Sequence, residues 1–245
     1  MSKSYQSHKD MQVNYVDGIS EYNMLEGAYP GVVTAKVNLK AGTKWCPEVY
    51  AGDDRIQIFF TTAGSGYFAT PEKAYNFDEY YVFVPNFDES PIFVQAATDV
   101  EMLRLVFELS DWDKKEIEEC IMTLPRFHKM EDSLQYEESF KGEGMISYLI
   151  LEHEFLGRAS LGAVLAKGPN VNGEHEHPDL IQWYYALPGS KFSYTVKGEG
   201  TVDVEGGDLT FTGVKKIHSS ETKAGEKIDY IWFEMIVPEE RNEQL

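Results

Sequence analysis

One ten-residue pattern occurs twice in this chain, and it restricts the fold more than any other feature. The segment IQIFFTTAGS, which begins at Ile56, aligns without a gap with the segment IQWYYALPGS, which begins at Ile181. A match of this length suggests a duplication. Each copy is followed by short β-branched and aromatic runs separated by Gly, Pro, Asn and Asp, which is typical of a β-sandwich or barrel. The sequence therefore predicts an all-β fold with two related halves.

A single clear helix is predicted between the two copies. Ser110 can cap its first turn, with Asp113 at the third helical position, and the pattern extends to about residue 122 before Leu-Pro ends it. The charged, glycine-containing stretch that follows is interpreted as a connector. The predicted organisation is an N-terminal barrel over residues 1–109, a helical linker over 110–144 and a C-terminal barrel over 145–245.

A histidine pair in the second half indicates a metal site. On an extended strand, His175 and His177 leave the same face, while Glu176 points away. Two imidazoles on one face bind a divalent metal well. The alternative is that both histidines are ordinary surface residues of an acidic loop.

The residues around this pair resemble the two sequence motifs of the cupin superfamily. The first motif has a Gly-rich approach, His-x-His, a Glu or Gln, and a glycine; the second runs from Gly-Asp at a turn to a histidine. The positions that match are Gly173, His175, His177, Gln182 and Gly189 in the first motif and Gly207, Asp208, Gly213 and His218 in the second. With the duplication, the chain resembles a bicupin: two antiparallel jelly-roll barrels joined by a helical linker.

The resemblance implies a metal ligand set of His175, His177, Gln182 and His218. Gln182 stands where cupins usually have Glu, and Thr212 stands where a proline is expected. A Gln ligand contributes no negative charge, so three neutral histidines and one amide would leave the ion fully dipositive. We expect one divalent ion in the C-terminal barrel, Mn, Fe, Ni or Zn, with Lewis-acid chemistry.

The first copy lacks these ligands. Residues 45–52, WCPEVYAG, stand where the first histidines would fall, residues 88–91 stand where the last would fall, and Gln57 is the ligand-type residue retained. The N-terminal copy is therefore predicted to be metal-free and structural. A second interpretation gives it an apolar binding pocket lined by Trp45, Phe59 and Tyr67.

Other side chains near the predicted ligands are candidates for proton transfer. Tyr184 should share the inward face of its strand with Gln182, so it is the predicted catalytic residue, as proton donor or substrate contact, although packing is an alternative role. Trp183 and Tyr185 have the opposite parity and should face outward or an interface. Glu234 is an internal acid or base if its face of the last strand points inward, which the sequence does not fix.

By the resemblance, the expected function is that of a metal-dependent isomerase or lyase acting on a small polyoxygenated, sugar-acid-like substrate. One alternative is an Fe(II)-dependent dioxygenase, and another is a non-catalytic bicupin that binds or senses a small molecule. A third is an aminohydrolase resembling ureidoglycine-processing bicupins, although His218 weighs against it. A basic cavity rim would favour a carboxylate or phosphate substrate, and an apolar rim the dioxygenase.

Charge and targeting features limit the partners. With 41 acidic and 22 basic residues, the formal net charge of −19 disfavours binding to nucleic acid or to an anionic membrane. The polar N-terminus lacks the apolar run of a secretory signal, and Cys46 and Cys120 are too far apart in sequence to suggest a thiolate metal site. We expect a cytoplasmic protein with a small-molecule substrate, and a homodimer is a plausible assembly.

Overall fold

The computed structural model describes residues 4–50, 54–87, 91–120 and 123–239, and strands dominate it. The strands are β1 (Tyr5–Gln6), β2 (Ile19–Met24), β3 (Val32–Leu39), β4 (Lys44–Trp45), β5 (Arg55–Ala63), β6 (Gly66–Ala69), β7 (Ala74–Phe77), β8 (Tyr81–Val84), β9 (Phe93–Ala96), β10 (Val100–Glu108), β11 (Arg126–Lys129), β12 (Leu134–Tyr136), β13 (Ile146–Leu156), β14 (Ala159–Lys167), β15 (Asn170–His175), β16 (Leu180–Ala186), β17 (Lys191–Val196), β18 (Gly200–Glu205), β19 (Leu209–Thr212), β20 (His218–Thr222) and β21 (Lys227–Ile236). The helix α1 covers Asp111–Glu119, and short 3₁₀ turns cover His8–Asp10 and Met130–Asp132. The predicted all-β class is confirmed, with antiparallel sheets.

Helix α1 begins where the sequence predicts. The Asp113 backbone N–H donates to the Ser110 hydroxyl at 3.2 Å, and the Ser110 N–H donates to the Asp113 carboxylate at 2.7 Å. This reciprocal capping box satisfies two backbone donors that a helix N-terminus otherwise leaves unpaired. Ile121 and Met122, which the sequence places in the last turn of the helix, lie outside the described residues.

The chain divides into two compact units, and the first comprises residues 11–132. Its six-stranded sheet has the order β11-β8-β5-β10-β3-β2, and its four-stranded sheet has the order β4-β9-β6-β7. Side chains from both sheets form one core, which contains Val37, Phe59, Phe68, Phe83 and Met102. Alternate residues of antiparallel strands point to opposite faces, so each sheet contributes its inward set to this core.

The second unit comprises residues 4–10 and 133–239 of the described chain. Its seven-stranded sheet has the order β1-β19-β16-β21-β14-β13-β12, and its four-stranded sheet has the order β15-β20-β17-β18. Both sheets again supply one core, which includes Val164, Tyr184, Tyr194, Val204 and Tyr230.

The strand orders of the two units match element by element. In the larger sheets, β5 lies between β8 and β10, and β16 lies between β19 and β21. The smaller sheets, β4-β9-β6-β7 and β15-β20-β17-β18, have the same succession. The two ten-residue copies therefore occupy equivalent central positions, as the repeat in the sequence predicts.

The units do not follow the predicted domain boundaries. Tyr5 and Gln6 pair with Thr210 and Leu209, so the N-terminal residues belong with the C-terminal unit. The predicted connector is also partly strand, because β11 pairs with β8 and β12 pairs with β13. These strands have only three or four residues, too few for an alternating hydrophobic pattern to be visible in the sequence.

Candidate metal centre

Three histidines meet between two neighbouring strands of the C-terminal unit. His175 ends β15, His218 begins β20, and the two are direct cross-strand partners. His177 follows two residues after His175, and its backbone carbonyl accepts a hydrogen bond from the Lys215 N–H at 2.9 Å, which joins the two motif loops. One ligand atom from each histidine lies within 4.8 Å of the others. This group could hold a metal ion.

Backbone carbonyls fix the orientation of two of these imidazoles. The Nδ1 atom of His175 lies 2.8 Å from the Gly173 carbonyl oxygen, and that of His218 lies 2.9 Å from the Lys216 carbonyl oxygen. A carbonyl oxygen can only accept, so Nδ1 carries the proton in both rings. The Nε2 atom of each ring then carries the lone pair that a metal would use, the usual arrangement of ligating histidines, and in His218 this atom lies 3.3 Å from the Tyr184 hydroxyl.

Burial keeps the three histidines neutral. It lowers the pKa of His177 to about 4 and that of His218 to about 3, and the neighbouring His175 lowers both further. The pKa of His175 is also lowered, mainly by burial. Because the ligand form of an imidazole is the neutral one, the cluster is ready to bind a cation at neutral pH.

Two buried polar atoms of residues that line the neighbouring cavity have no hydrogen-bond partner among the described residues: Gln182 Oε1 and His177 Nε2. Gln182 uses its amide N–H to donate to the Glu234 carboxyl, which leaves its oxygen unpaired. Buried polar atoms are almost always satisfied, so unpaired acceptors beside three neutral histidines call for a partner. The three histidines could therefore hold a divalent cation, and Gln182 Oε1 is an unpaired oxygen of a residue that lines the same cavity.

Glu234 lies on the inward face of β21, which answers the question that the sequence left open. It pairs in register with Gln182, and its Oε1 atom lies 3.9 Å from His177 Nε2. Burial raises the pKa of Glu234 to about 8, although the hydrogen bond from Gln182 acts in the opposite direction. A carboxyl group of this kind is protonated at neutral pH and can both give and take a proton.

A cavity of about 160 Å³ opens beside the histidines. Its wall combines aromatic side chains with a comparable number of polar and charged ones, and its lining residues are Tyr136, Glu138, Phe140, Lys141, His153, Asn172, His175, His177, Leu180, Gln182, Tyr184, Tyr230, Trp232 and Glu234. A concave space in which aromatic side chains and converging polar groups meet is typical of a small-molecule site.

Tyr184, the predicted catalytic residue, lies in this cavity with its hydroxyl 3.3 Å from His218 Nε2. Its ring stacks on Tyr230 at a centroid distance of 4.2 Å. Burial raises the pKa of the Tyr184 hydroxyl well above its usual value, so the group is a donor and not a phenolate. Gln182 and Tyr184 share the inward face, as their spacing predicts.

Trp183 and Tyr185 have the opposite parity, as predicted, and neither lines the cavity. However, both are buried rather than outward, and Trp183 packs against Phe211 and Phe233. The strand parity therefore identified correctly the face that points away from the cavity.

The segment interpreted as a connector supplies one wall of the site. Phe140 stacks on His175 with ring centroids 4.0 Å apart, and its carbonyl accepts from the Gly173 N–H at 2.7 Å. Tyr136, Glu138 and Lys141 line the same cavity. Sequence reasoning missed these residues because they belong to no motif; the one available signal was an aromatic-lysine pair within an acidic stretch.

In the N-terminal unit, an arginine stands at the strand position that corresponds to Trp232 in the C-terminal unit. Arg104 Nε donates to Gln57 Oε1 at 2.7 Å, and the guanidinium also contacts Glu21 Oε1 at 2.6 Å and the Tyr50 hydroxyl at 3.2 Å. In register, Arg104 lies opposite Phe59, just as Trp232 lies opposite Tyr184. The Gln57 oxygen is thus satisfied within the chain, and a fixed cation stands beside it.

The suggested apolar pocket in this unit is not assembled from its three predicted residues. Trp45 and Phe59 are buried and pack edge-to-face in the core at 6.0 Å. Tyr67 packs against Phe93 instead. Phe59 and Trp45 therefore serve the core of the unit.

The fold of this chain is similar to that of known structures. No protein-family model matches the chain, and no curated protein matches it. Among solved structures, a single-residue variant of oxalate decarboxylase from Bacillus subtilis superposes with a TM-score of 0.70 at 14% identity, covering 97% of this chain and 78% of that one. The formate complex of oxalate decarboxylase from Lactobacillus farciminis gives a TM-score of 0.72 at 13% identity, covering 96% and 87%. The likeness supports a cupin-type fold.

A further structure of the Bacillus subtilis enzyme, solved in work on its Mn(II) centres, gives a TM-score of 0.69 at 14% identity and covers 97% of this chain and 78% of that one. Within the residues that the structure describes, no helix is long and apolar enough to span a bilayer.

Proposed function

We propose that this chain is a metal-dependent bicupin enzyme, a lyase or isomerase that acts on a small polyoxygenated substrate in its C-terminal unit. The observation that carries the proposal is the three-histidine cluster at the wall of a cavity, together with two buried polar atoms that have no hydrogen-bond partner among the described residues, His177 Nε2 and Gln182 Oε1. A protonated carboxyl, Glu234, and a phenol, Tyr184, lie in the same cavity. Ligands and proton carriers together favour catalysis over simple binding.

The proposed ligands are His175, His177, Gln182 and His218. An ion bound by them would act as a Lewis acid on a carbonyl or carboxylate oxygen. Since His218 Nε2 has one lone pair, its use as a ligand leaves the Tyr184 hydroxyl without its present acceptor. That hydroxyl can then donate to a substrate oxygen.

Two further groups are suited to handling the substrate. Glu234 can deliver or accept a proton within the cavity, because burial keeps its pKa close to neutrality. Asn172 Oδ1 is buried without a hydrogen-bond partner among the described residues and its side chain lines the cavity, so it can accept from a substrate hydroxyl. The stacked rings of Tyr184 and Tyr230 exclude water from the inner wall.

The volume of the cavity favours a lyase that acts on a short substrate over an isomerase that acts on a complete sugar acid. A protein cavity of about 150 Å³ binds benzene, so a space of about 160 Å³ suits a substrate of about six heavy atoms. A complete sugar acid would have to extend beyond it. The neighbours are named as decarboxylases of oxalate, a molecule of that size, which supports a carbon–carbon lyase acting on a short substrate.

In this proposal the N-terminal unit is a degenerate cupin barrel without metal. Gln57 Oε1 accepts a hydrogen bond from Arg104, and the segments that correspond to the two motifs contain no histidine. The predicted cytoplasmic location and homodimer stay predictions.

The test begins with metal content. The full chain is incubated with Mn(II), Fe(II), Ni(II) or Zn(II), dialysed and measured by plasma mass spectrometry, beside His175→Ala and a matched control, His128→Ala, whose residue lies in β11 of the other unit. We expect one ion per wild-type and control chain and a large loss in His175→Ala. If the wild type retains no ion, or His175→Ala retains as much, the proposal fails.

Reaction class is tested next on the loaded protein. Oxalate and other short oxygenated acids are incubated with it under anaerobic conditions, and products are followed by NMR. A lyase or isomerase continues without oxygen, whereas turnover that requires oxygen would identify a dioxygenase.

A further inference from the structure

A buried lysine forms part of the cavity wall. The Lys141 side chain is only 7% exposed. Its ammonium donates to the Ser147 hydroxyl at 2.8 Å and to the Tyr136 hydroxyl at 3.4 Å, and it forms an ion pair with Glu138. A buried ammonium is costly unless it is paired, so this cation is retained with a dedicated set of partners.

Lys141 supplies positive charge where the rest of the protein supplies little. Among the described residues that line the cavity, it is the only Lys or Arg. The chain as a whole has a net charge of −19 and repels anions at long range. Local positive charge inside the cavity therefore favours an anionic ligand, and Lys141 supplies such charge in addition to the proposed metal ion.

The ion pair stands between two spaces. Glu138 and Lys141 line the inner cavity, and both also line an outer pocket of about 240 Å³ whose other lining residues are Glu137, Gly142, Glu143, Gly144, Met145 and Ser147.

The two partners are held very differently. The backbone of Lys141 forms a bridge with Asn172, and the Gly142 N–H donates to the Val171 carbonyl at 2.9 Å, so Lys141 is tied to the strand that carries His175. A Cβ on Gly142 would lie 2.0 Å from the Asn170 side chain, which shows how closely this segment lies against β15. Glu138, by contrast, is 31% exposed. The cation is fixed, and its carboxylate partner is the more exposed member.

We propose that Lys141 determines ligand specificity by binding a carboxylate of the substrate, and that Glu138 holds the same place when the cavity is empty. This inference rests on the proposed function for the rest of the site. Exchange of one carboxylate for another keeps the ammonium paired throughout, so entry of the ligand does not require an unpaired buried charge. Lys141 thus selects a carboxylic acid over a neutral analogue of the same shape.

The test is calorimetric titration of the Mn(II)-loaded full chain with oxalate, malonate and pyruvate, each beside its neutral amide. Wild type should bind at least one acid and discriminate against its amide. Lys141→Met should weaken that acid by at least about tenfold, because it removes one partner of a buried charge pair. Glu138→Gln should tighten it by about three- to tenfold, because the internal competitor is gone.

Controls separate binding from structure. Glu137→Gln changes a neighbouring carboxylate that lines only the outer pocket, and it should alter affinity less than about twofold, as exposed charges usually do. Mn(II) content and circular dichroism are measured for every variant. If Lys141→Met does not fold, Lys141→Arg replaces it and should keep the preference for acid over amide. The effect of Glu138→Gln on the affinity for the acid then still tests the inference.

The inference is overturned if no acid binds the loaded protein below about 10 mM, a threshold of about −3 kcal/mol. It is also overturned if Lys141→Met binds as wild type does, or if Glu138→Gln weakens binding, which is what a purely structural ion pair would give. The proposed function fails in a different way, namely if the wild type binds no metal. In that case the same titrations on metal-free protein still compare Lys141→Met with Glu138→Gln.

Discussion

Asp208 belongs to the second motif, and the structure gives it a structural role that can be tested. Its buried carboxylate accepts hydrogen bonds from the Tyr5 hydroxyl at 2.8 Å, from the His8 N–H and ring Nδ1, both at 2.7 Å, and from the Glu205 N–H at 2.8 Å. One side chain thus closes the turn before β19 and fastens the N-terminal segment to the C-terminal unit.

The substitution Asp208→Asn measures this role. Asparagine keeps one acceptor oxygen and replaces the other with a donor, so about two of these contacts are lost or become repulsive. Hydrogen bonds to a charged group contribute about 1.5–3 kcal/mol each, so the free energy of unfolding should fall by about 3 kcal/mol. Urea denaturation followed by tryptophan fluorescence at neutral pH gives the difference.

The pH dependence supplies a second and independent check. Burial alone would raise the pKa of Asp208, but hydrogen bonds from the Glu205 and His8 N–H groups, the His8 ring and Tyr5 lower it below its usual value. A carboxyl whose pKa is lowered on folding contributes stability above its unfolded pKa of about 3.9 and loses it as pH falls through the folded pKa. The gap between wild type and Asp208→Asn should therefore narrow below about pH 4.

Asp203→Asn is the matched control, since Asp203 is exposed on the adjacent strand and its carboxylate accepts a hydrogen bond from the Ser193 hydroxyl at 3.2 Å. It should change stability by no more than about 0.5 kcal/mol. A loss below about 1 kcal/mol in Asp208→Asn, within the range of one neutral hydrogen bond, would refute the reasoning. So would a gap that stays constant into the acid range.

Two further predictions concern the walls of the two units. Arg104→Met leaves Gln57 Oε1 and Glu21 without their cation, so it should destabilise the protein by about 3 kcal/mol in urea denaturation. The metal content should stay at one ion per chain. A second bound ion would contradict the view that the Arg104 guanidinium merely satisfies the polar groups around Gln57. Gly162→Ala places a Cβ 2.1 Å from Trp232 Cζ2, so it should cost about 1–3 kcal/mol and displace the indole toward the cavity. The displacement should appear as a shifted tryptophan emission and weaker ligand binding, and unchanged stability with unchanged emission would show that the close packing is not rigid.

The histidine cluster was accessible from sequence because strand parity and motif spacing are local. His175 and His177 lie two residues apart, whereas His218 was included through the resemblance to the second motif, and its cross-strand pairing with His175 is a finding of the structure. Parity also predicted that Gln182 and Tyr184 share a face. The face of Glu234 was not predictable, because both faces of β21 are apolar and buried. Alternation of polar and apolar residues therefore does not show which face of this strand points inward.

The wall formed by residues 136–141 could not be predicted for a different reason. Its contacts with β15 are non-local backbone hydrogen bonds and ring stacking, such as Phe140 on His175. Neither kind of contact produces a periodic hydrophobic pattern in a segment whose strands are short. The attachment of Tyr5 to β19 was hidden in the same way, since a two-residue strand has no pattern of its own.

The two glutamines differ in a way that favours a metal site in the C-terminal unit alone. Gln57 and Gln182 occupy the same position in matching sheets and are both buried. Gln57 Oε1 is satisfied by Arg104, while Gln182 Oε1 has no hydrogen-bond partner among the residues described. An unpaired buried acceptor costs about 1–3 kcal/mol, a cost that one copy avoids with a side chain of its own. The other copy keeps its acceptor open beside three neutral imidazoles, where a cation would satisfy it.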